Sequence, residues 1–291
     1  MNTESLPLLQ HALESPSAFT PERLMAAVRT ARGLTHVAVP PLCVLDFDGD
    51  LSDQLAAEGI TTPWTSWACF HTSMRVGTID GLPCGIVPRT IGGPYAVLVA
   101  EQLWAAGAKL IVGITSAGRV SRDLPLPSIV IVDEAVRDEG TSLHYLAPSP
   151  SVLTPTTQAV ELLLRELSTV SSCVRRGRVW TTDAPYRETP EQLRAWADAG
   201  VLAVEMQAAS LFAFARAREA HVAVVALVSN SVDQVTGDFD TGGHKFRTDV
   251  LSAVVRAALA FVSSETGADE GLASRPSGSA QGPFRAGTRS E

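Results

Sequence analysis

The chain has 291 residues, of which 45% are hydrophobic and 19% are charged, a composition too apolar for a disordered protein and typical of a globular one. Lys and Arg number 23 against 31 Asp and Glu, so the formal net charge at pH 7 is -8. This balance argues against a protein that neutralises nucleic-acid phosphates over a broad surface, although a small local anion site stays compatible with it.

The longest apolar runs, HVAVVALV and PSIVIV, are the length of strands and fall short of the roughly 18 residues that span a bilayer. The N-terminal segment MNTESLPLLQHALESP lacks the cationic start and apolar centre of a secretory signal, so we expect a cytoplasmic protein. Its four cysteines form no C-x-x-C pair, and we expect them to fill the core rather than to bind zinc or form disulfides.

Short apolar runs alternate along the chain with longer amphipathic segments, which is typical of an α/β fold with a buried sheet. The predicted strands are, in chain order, LCVLDF, CGIVPR, KLIVGIT, SIVIVDEAV, LAVEM and VAVVALVSN. Helical spacing of apolar residues appears in GPYAVLVAEQLWAAGA, PTTQAVELLLRELSTV, TPEQLRAWADAG, MQAASLFAFARAREA and KFRTDVLSAVVRAALAFVSS. We therefore predict one α/β domain over residues 1–264, with a mostly buried central sheet flanked by helices. Residues 265–291, rich in Gly, Ser, Ala and Pro, are predicted to be a disordered tail.

A glycine-rich motif is the first candidate for chemistry. Gly92 and Gly93 open a predicted helix, and the strand that follows this helix ends in Thr115, Ser116 and Gly118. Hydroxyls and free backbone N–H groups suit an anion, and glycine allows a ligand to approach the backbone closely. The same residues are also common in ordinary turns, so the motif alone leaves both interpretations open.

Two further polar motifs follow predicted strands. In AVRDEGTSLHYLAP, Arg137 and its acidic neighbours either form a solvated ion-pair loop or line a pocket. In VEMQ, Glu205 and Gln207 stand at a strand-to-helix junction, where they either bind sugar hydroxyls or cap the helix. The residues by themselves leave these alternatives open.

Taken in order over residues 20–262, six segments resemble the nucleoside phosphorylase and nucleosidase superfamily, and within it the uridine phosphorylases. They are DFDGDLSDQL, GLPCGIVPRTIGGPYAVLVAEQL, GITSAG, VRDEGTSLHYLAP, VEMQAASLFAFA and LVSN. A seventh, WTTDAPYRET, is similar to members of the bacterial branch. The resemblance implies a mixed sheet and a homo-oligomer, dimer or hexamer, with active sites at subunit contacts. It implies a nucleoside and phosphate as small-molecule partners, no metal or organic cofactor, and no nucleic acid or membrane.

The resemblance also implies roles for single residues around the sugar and the base. The family clasps the ribose with its VEM segment, which assigns to the sugar Glu205, Met206 and Gln207. Gln207 places a neutral amide where the family has its clasping carboxylate. Asn230 stands where purine-cleaving relatives carry the aspartate that protonates the base, which favours an oxo-base such as uracil or hypoxanthine. The expected catalytic residues are thus Glu205, Gln207 and Asn230, and the expected base-binding residues are Asn230, Asp183 and Tyr186.

For phosphate, the resemblance assigns Gly49, Thr115 and Ser116. It departs from the family at Asp53 and Gly113, which stand where phosphorylases have arginines that hold the phosphate. The candidates to replace these arginines are Arg75, Arg89, Arg119 and Arg137, of which Arg75 and Arg137 are expected in the site. Arg75 and His71 lie in the segment from which a neighbouring subunit would lend a basic residue.

The resemblance predicts a pentosyltransferase that cleaves the N-glycosidic bond of an oxo-base nucleoside such as uridine with phosphate, giving free base and sugar 1-phosphate. The closest alternative is a nucleosidase that hydrolyses the same bond with water, including that of a modified nucleoside. A third alternative is an inactive sensor that binds a nucleoside without turnover. Dependence of base release on phosphate distinguishes the first two.

Overall fold

The structure, a computed structural model, describes residues 6–10, 12–232 and 243–273. Its helices are α1 (Pro21–Arg32), α2 (Asp50–Ala57), α3 (Gly93–Ala105), α4 (Thr157–Leu167), α5 (Pro190–Asp198), α6 (Ala208–Arg218) and α7 (His244–Ala273). Its strands are β1 (Leu42–Asp46), β2 (Thr62–Pro63), β3 (Arg75–Ile79), β4 (Leu82–Pro88), β5 (Leu110–Arg119), β6 (Ser128–Asp138), β7 (Ser151–Leu153), β8 (Val174–Thr182), β9 (Ala203–Glu205) and β10 (Val222–Ser231).

These strands form one mixed sheet that is organised around β5. Strand β5 pairs in parallel with β1 and β10 and antiparallel with β9. The order β10–β6–β8–β9–β5, with β10 pairing back to β5, closes these five strands into a ring, while β1, β4, β3 and β2 extend the sheet outward. The carboxyl ends of β1, β5 and β10 therefore lie at one edge, beside the end of the short strand β9.

Both faces of the central strands are buried, which is why their sequences are continuous apolar runs rather than alternating ones. In β1, Cys43 and Leu45 face the core under α3 and α6, whereas Leu42 and Val44 face the core under α4 and α7. Successive side chains of a strand point to opposite faces, so one short run supplies both cores. The buried sheet holds the strand ends, and the loops that follow them, in fixed positions.

The predicted strands and helices all form, whereas the strands β2, β3, β7 and β8 and the helices α1 and α2 were not predicted. The β8 sequence VRRGRVWTT is interrupted by arginines, and in the structure Arg176 and Arg178 pair with Asp133 and Glu134 of the neighbouring β6. Helix α7 extends to Ala273, past the predicted start of the tail at residue 265, and residues 274–291 lie outside the described residues. Within the described ranges, no helix is long and apolar enough to cross a membrane.

Candidate active site

A cavity of about 790 Å³ opens where the ends of β5, β9 and β10 meet. It brings together most of the residues that the sequence assigned to a nucleoside, namely Thr115, Ser116, Tyr186, Glu205, Met206, Gln207 and Asn230. A break in the β5–β10 register falls between Val228 and Asn230. Bulges of this kind redirect side chains at the rims of barrels, and this one precedes the half-buried Asn230 on the cavity wall.

The carboxylate of Glu205 is used mainly to begin helix α6. One oxygen accepts hydrogen bonds from the backbone N–H groups of Gln207, at 2.6 Å, and Ala208, at 2.8 Å, and the other accepts from the hydroxyl of Thr181. Three of its roughly four acceptor directions are thereby taken, so the predicted contact of Glu205 with sugar hydroxyls has little acceptor capacity left. Burial raises the pKa of Glu205 to about 7, against the lowering effect of these hydrogen bonds.

Gln207 is buried on the cavity wall with its amide oxygen facing the protein. This oxygen accepts from the backbone N–H of Met206 at 3.2 Å and from the hydroxyl of Thr115 at 3.4 Å. The Nε2 group has no hydrogen-bond partner among the described residues, so it is left as a donor for a ligand. The sugar assignment of Met206 and Gln207 stays a prediction that this geometry accommodates.

The hydrogen-bond donors that were expected to bind phosphate are already paired with a carboxylate that the sequence did not assign. Asp48, in the loop after β1, accepts from the backbone N–H of Ser116 at 2.9 Å and from its hydroxyl at 3.0 Å. Gly49 is the N-cap that precedes α2; it has a φ of 88°, a left-handed conformation that favours glycine, and it does not line the cavity. The donors of Ser116 are thus already paired with a negative charge.

The predicted arginines do not line the cavity of this chain, so its geometry gives no support to their assignment to phosphate. Arg137 donates instead to the Ser142 and Ser149 hydroxyls and to the carbonyls of Leu146 and Ala147, at 2.7 to 3.1 Å, and so fixes the loop after β6. Arg75 donates to the hydroxyl and carbonyl of Thr61.

The other two candidate arginines are also absent from the cavity wall. Arg89 pairs with Asp53 at the surface, and Arg119, the last residue of β5, does not line the cavity. No Lys or Arg lines the cavity in the described part of the chain.

The surroundings of Gly113 leave no room for the arginine that the resemblance places at this position. A Cβ atom at this position would lie 2.8 Å from the ring of Phe47 and 3.6 Å from Val224. Phe47 is fully buried, so its ring fills the space in which any longer side chain at position 113 would begin.

On the base side, the structure separates the two residues predicted after β8. Tyr186 lines the cavity and is 100% exposed. Asp183 does not line the cavity; its carboxylate accepts from the backbone N–H of Gly140 at 2.9 Å and joins two loops. Burial raises the pKa of Asp183, an effect that this hydrogen bond opposes.

Glu188 is a cavity residue that the sequence analysis missed. It lines the wall next to Tyr186 and is half-buried, and its carboxyl group has no hydrogen-bond or ion-pair partner among the described residues. Burial raises its pKa to about 7. A single acidic residue in a polar loop carries no sequence signal of this kind, because the lack of a partner is visible only in three dimensions.

The fold agrees with that of known proteins. Residues 41–264 match the phosphorylase superfamily. The chain belongs to this family. Among its phosphorylase superfamily relatives, the guanosine phosphorylase of Halorubrum lacusprofundi is 27% identical over 184 residues, which are 62% of this chain and 76% of the relative. The uridine phosphorylase of Thermococcus kodakarensis is 27% identical over 208 residues, 64% of this chain and 72% of the relative.

A crystal structure of uridine phosphorylase from Vibrio fischeri shares the fold. The two superpose with a TM-score of 0.65 at 21% identity, over 78% of this chain and 95% of that one. The predicted superfamily and the predicted α/β fold with a central mixed sheet are therefore confirmed.

Proposed function

We propose that this member of the phosphorylase superfamily breaks the N-glycosidic bond of a nucleoside and transfers the sugar to water. The choice of bond is supported by relatives named guanosine phosphorylase and uridine phosphorylase, because phosphorolysis of a nucleoside breaks the bond between C1′ and the base. The choice of water rests on one observation, the pairing of Asp48 with both donors of Ser116.

Electrostatics disfavours a phosphate dianion on Ser116. A phosphate oxygen bound there would stand beside the Asp48 carboxylate, and two like unit charges ~4 Å apart repel by about 4 kcal/mol at an effective dielectric constant of about 20. No arginine or lysine lines this cavity in the described part of the chain. The buried Arg247 shares a smaller neighbouring pocket with Asp48 and Ser116, and there it already pairs with the carboxylate of Asp50 at 2.8 Å. A neutral water molecule does not meet this repulsion.

Asp48 also supplies the chemistry that water requires. Its carboxylate lines the cavity, and Ser116 fixes both of its oxygens through hydrogen bonds. A carboxylate in this position accepts a proton from water as the water oxygen bonds to C1′. The electron pair of the C1′–N bond departs with the base. The products are a free pentose and a free base.

The sugar and the base contact different parts of the wall in this proposal. Gln207 donates a hydrogen bond from Nε2 to a sugar hydroxyl, and Met206 lies against the sugar. Glu205 holds the backbone where β9 meets α6. Asn230 both donates and accepts hydrogen bonds without titrating, which suits an oxo-base such as uracil or hypoxanthine. The reaction as proposed uses side chains and water, with no metal or organic cofactor.

Phosphorolysis is the second candidate, and the names of the relatives favour it. It needs cations that this chain does not place on the described cavity wall, so a neighbouring subunit would have to supply them. Arg75 and His71 are the residues expected to reach a neighbour's site in a dimer or hexamer. Light scattering of the purified protein tests that assembly.

The deciding experiment measures release of free base from uridine, thymidine, inosine, guanosine and adenosine, with and without phosphate, by chromatography. The same reactions in H₂¹⁸O identify the acceptor of the sugar. Hydrolysis predicts equal rates in both buffers and a pentose that carries ¹⁸O at C1′.

Release that requires phosphate and yields sugar 1-phosphate would contradict hydrolysis and support the second candidate. Fastest turnover of adenosine would contradict the assignment of Asn230 to an oxo-base. Binding of a nucleoside by calorimetry without release of any base would favour the nucleoside-binding sensor.

A further inference from the structure

The proposed cleavage leaves one requirement unmet, a proton for the departing base. Asn230 stands on the cavity wall but cannot transfer a proton at neutral pH. Three carboxyl groups line the same cavity: those of Asp48, Glu188 and Glu205. Asp48 is held by Ser116, and Glu205 is held by Thr181 and the first turn of α6. Glu188 alone among these three has no partner in the described part of the chain.

The backbone around Glu188 is fixed on both sides. A 3-10 turn over Pro185–Arg187 precedes it. A capping box follows it, in which the Thr189 hydroxyl accepts from the backbone N–H of Gln192 and the Gln192 side chain accepts from that of Thr189. The backbone therefore holds Glu188 at the cavity wall, next to Tyr186.

The strand order separates Glu188 from Asp48. Glu188 lies in the loop after β8 and Asp48 in the loop after β1, and the strands run in the order β8–β9–β5–β1. Neighbouring strands lie ~4.8 Å apart, so β9 and β5 leave room for a ligand between the two loops. An acid on one side of a glycosidic bond and a base on the other is the arrangement that direct displacement by water requires.

We propose that Glu188 is the general acid of this reaction, a role that rests on the proposed cleavage of a nucleoside. As the C1′–N bond breaks, its electron pair moves to the base, and the protonated Glu188 gives its proton to a nitrogen or oxygen of that base. Asp48 takes the proton that water loses as the new C1′–O bond forms. Exchange with solvent then returns a proton to Glu188 and removes one from Asp48.

Protonation of Glu188 at neutral pH agrees with its surroundings. Burial raises its pKa to about 7, so the acid form is populated where the enzyme is assayed. The other titratable groups on the described cavity wall are Asp48, Glu205 and Tyr186.

The test compares Glu188→Gln with the wild-type enzyme on inosine and on 7-methylinosine. Inosine loses its base as an anion that needs a proton, whereas 7-methylinosine loses a base that is neutral without one. We expect Glu188→Gln to lower kcat for inosine by about 10²–10³-fold and to leave 7-methylinosine within about threefold of wild type. The decline of the wild-type rate for inosine above pH 7 should also disappear in the variant. Glu191→Gln, an exposed change three residues further on, is the matched control and should behave as wild type.

Equal losses on both substrates would overturn the acid role, because they would show that Glu188 only binds the substrate or maintains the loop. Unchanged rates on both substrates would overturn it as well. A wild-type enzyme that releases no base from these two nucleosides or from any of the five in the panel above would instead refute the proposed function, and the role of Glu188 with it. Circular dichroism of both variants excludes misfolding as the cause of a loss.

Discussion

Replacement of Asp48 by Asn separates the chemical role of this side chain from its structural one. The carboxylate accepts two hydrogen bonds from Ser116, at 2.9 and 3.0 Å. An asparagine of the same size keeps one acceptor oxygen, so the fold loses one charge-assisted hydrogen bond, worth about 1.5–3 kcal/mol. A general base is lost completely by the same change, and general bases contribute about 10²–10⁴-fold to rates.

We therefore expect Asp48→Asn to lower kcat for hydrolysis by about 10²–10⁴-fold at 25 °C, while the protein stays folded. The assay is chromatographic base release at saturating nucleoside, with the melting temperature measured alongside. Asp53→Asn is the control, because it removes a carboxylate from α2 that is exposed and does not line the cavity.

The same variant has a second readout in its response to phosphate. Without the negative charge beside Ser116, phosphate no longer meets about 4 kcal/mol of repulsion per unit charge. Phosphate should then stimulate base release by Asp48→Asn and leave the wild-type rate unchanged. Retention of the wild-type kcat by Asp48→Asn, within a few-fold and without phosphate, would refute the assignment of Asp48 as the base.

Four further changes test other parts of the structure. Gly113→Ala places a methyl group 2.8 Å from the Phe47 ring, so chemical denaturation should show about 1–3 kcal/mol lower stability. Glu205 has a pKa raised by burial to about 7, so its contribution to stability is full below its unfolded pKa and is lost as the pH rises to about 7. Glu205→Gln should therefore reduce the decline of urea midpoints between pH 5 and 7, and an unchanged slope would count against this titration. Arg137→Lys cannot make the four hydrogen bonds of the guanidinium, so its melting temperature should fall while KM for the nucleoside stays as in wild type. Gln207→Glu restores the family's carboxylate beside the sugar and should raise kcat for ribonucleosides about tenfold, by stabilising the positive charge that develops on the sugar.

The sheet was predictable from sequence because burial on both faces leaves continuous apolar runs. Strand β8 escaped prediction since its arginines are compensated by Asp133 and Glu134, which belong to a strand about 40 residues earlier. Pairing of this kind depends on strand order, and periodicity within one segment carries no information about strand order.

The candidate site was predictable where a motif ends a strand, and elsewhere it was not. Thr115, Ser116 and Gln207 reach the cavity because buried strands carry them there. The position of the Asp48 side chain depends on its hydrogen bonds with Ser116, 68 residues away. Glu188 stands out because no described residue pairs with its carboxyl group at the cavity wall. Residue type and spacing contain neither fact.

Two features beside Ser116, the absence of an arginine at position 113 and the carboxylate of Asp48, have one structural origin. Phe47 and Asp48 are consecutive, and they leave the end of β1 on the way to α2. The ring of Phe47 fills the space beside Gly113, the position at which the resemblance places an arginine of the family. The carboxylate of Asp48 accepts the hydrogen bonds that Ser116 would otherwise donate to phosphate. An arginine restored at position 113 alone would collide with Phe47. A single loop thus both removes a cation and adds an anion, and our proposal that water is the acceptor rests on this coupling.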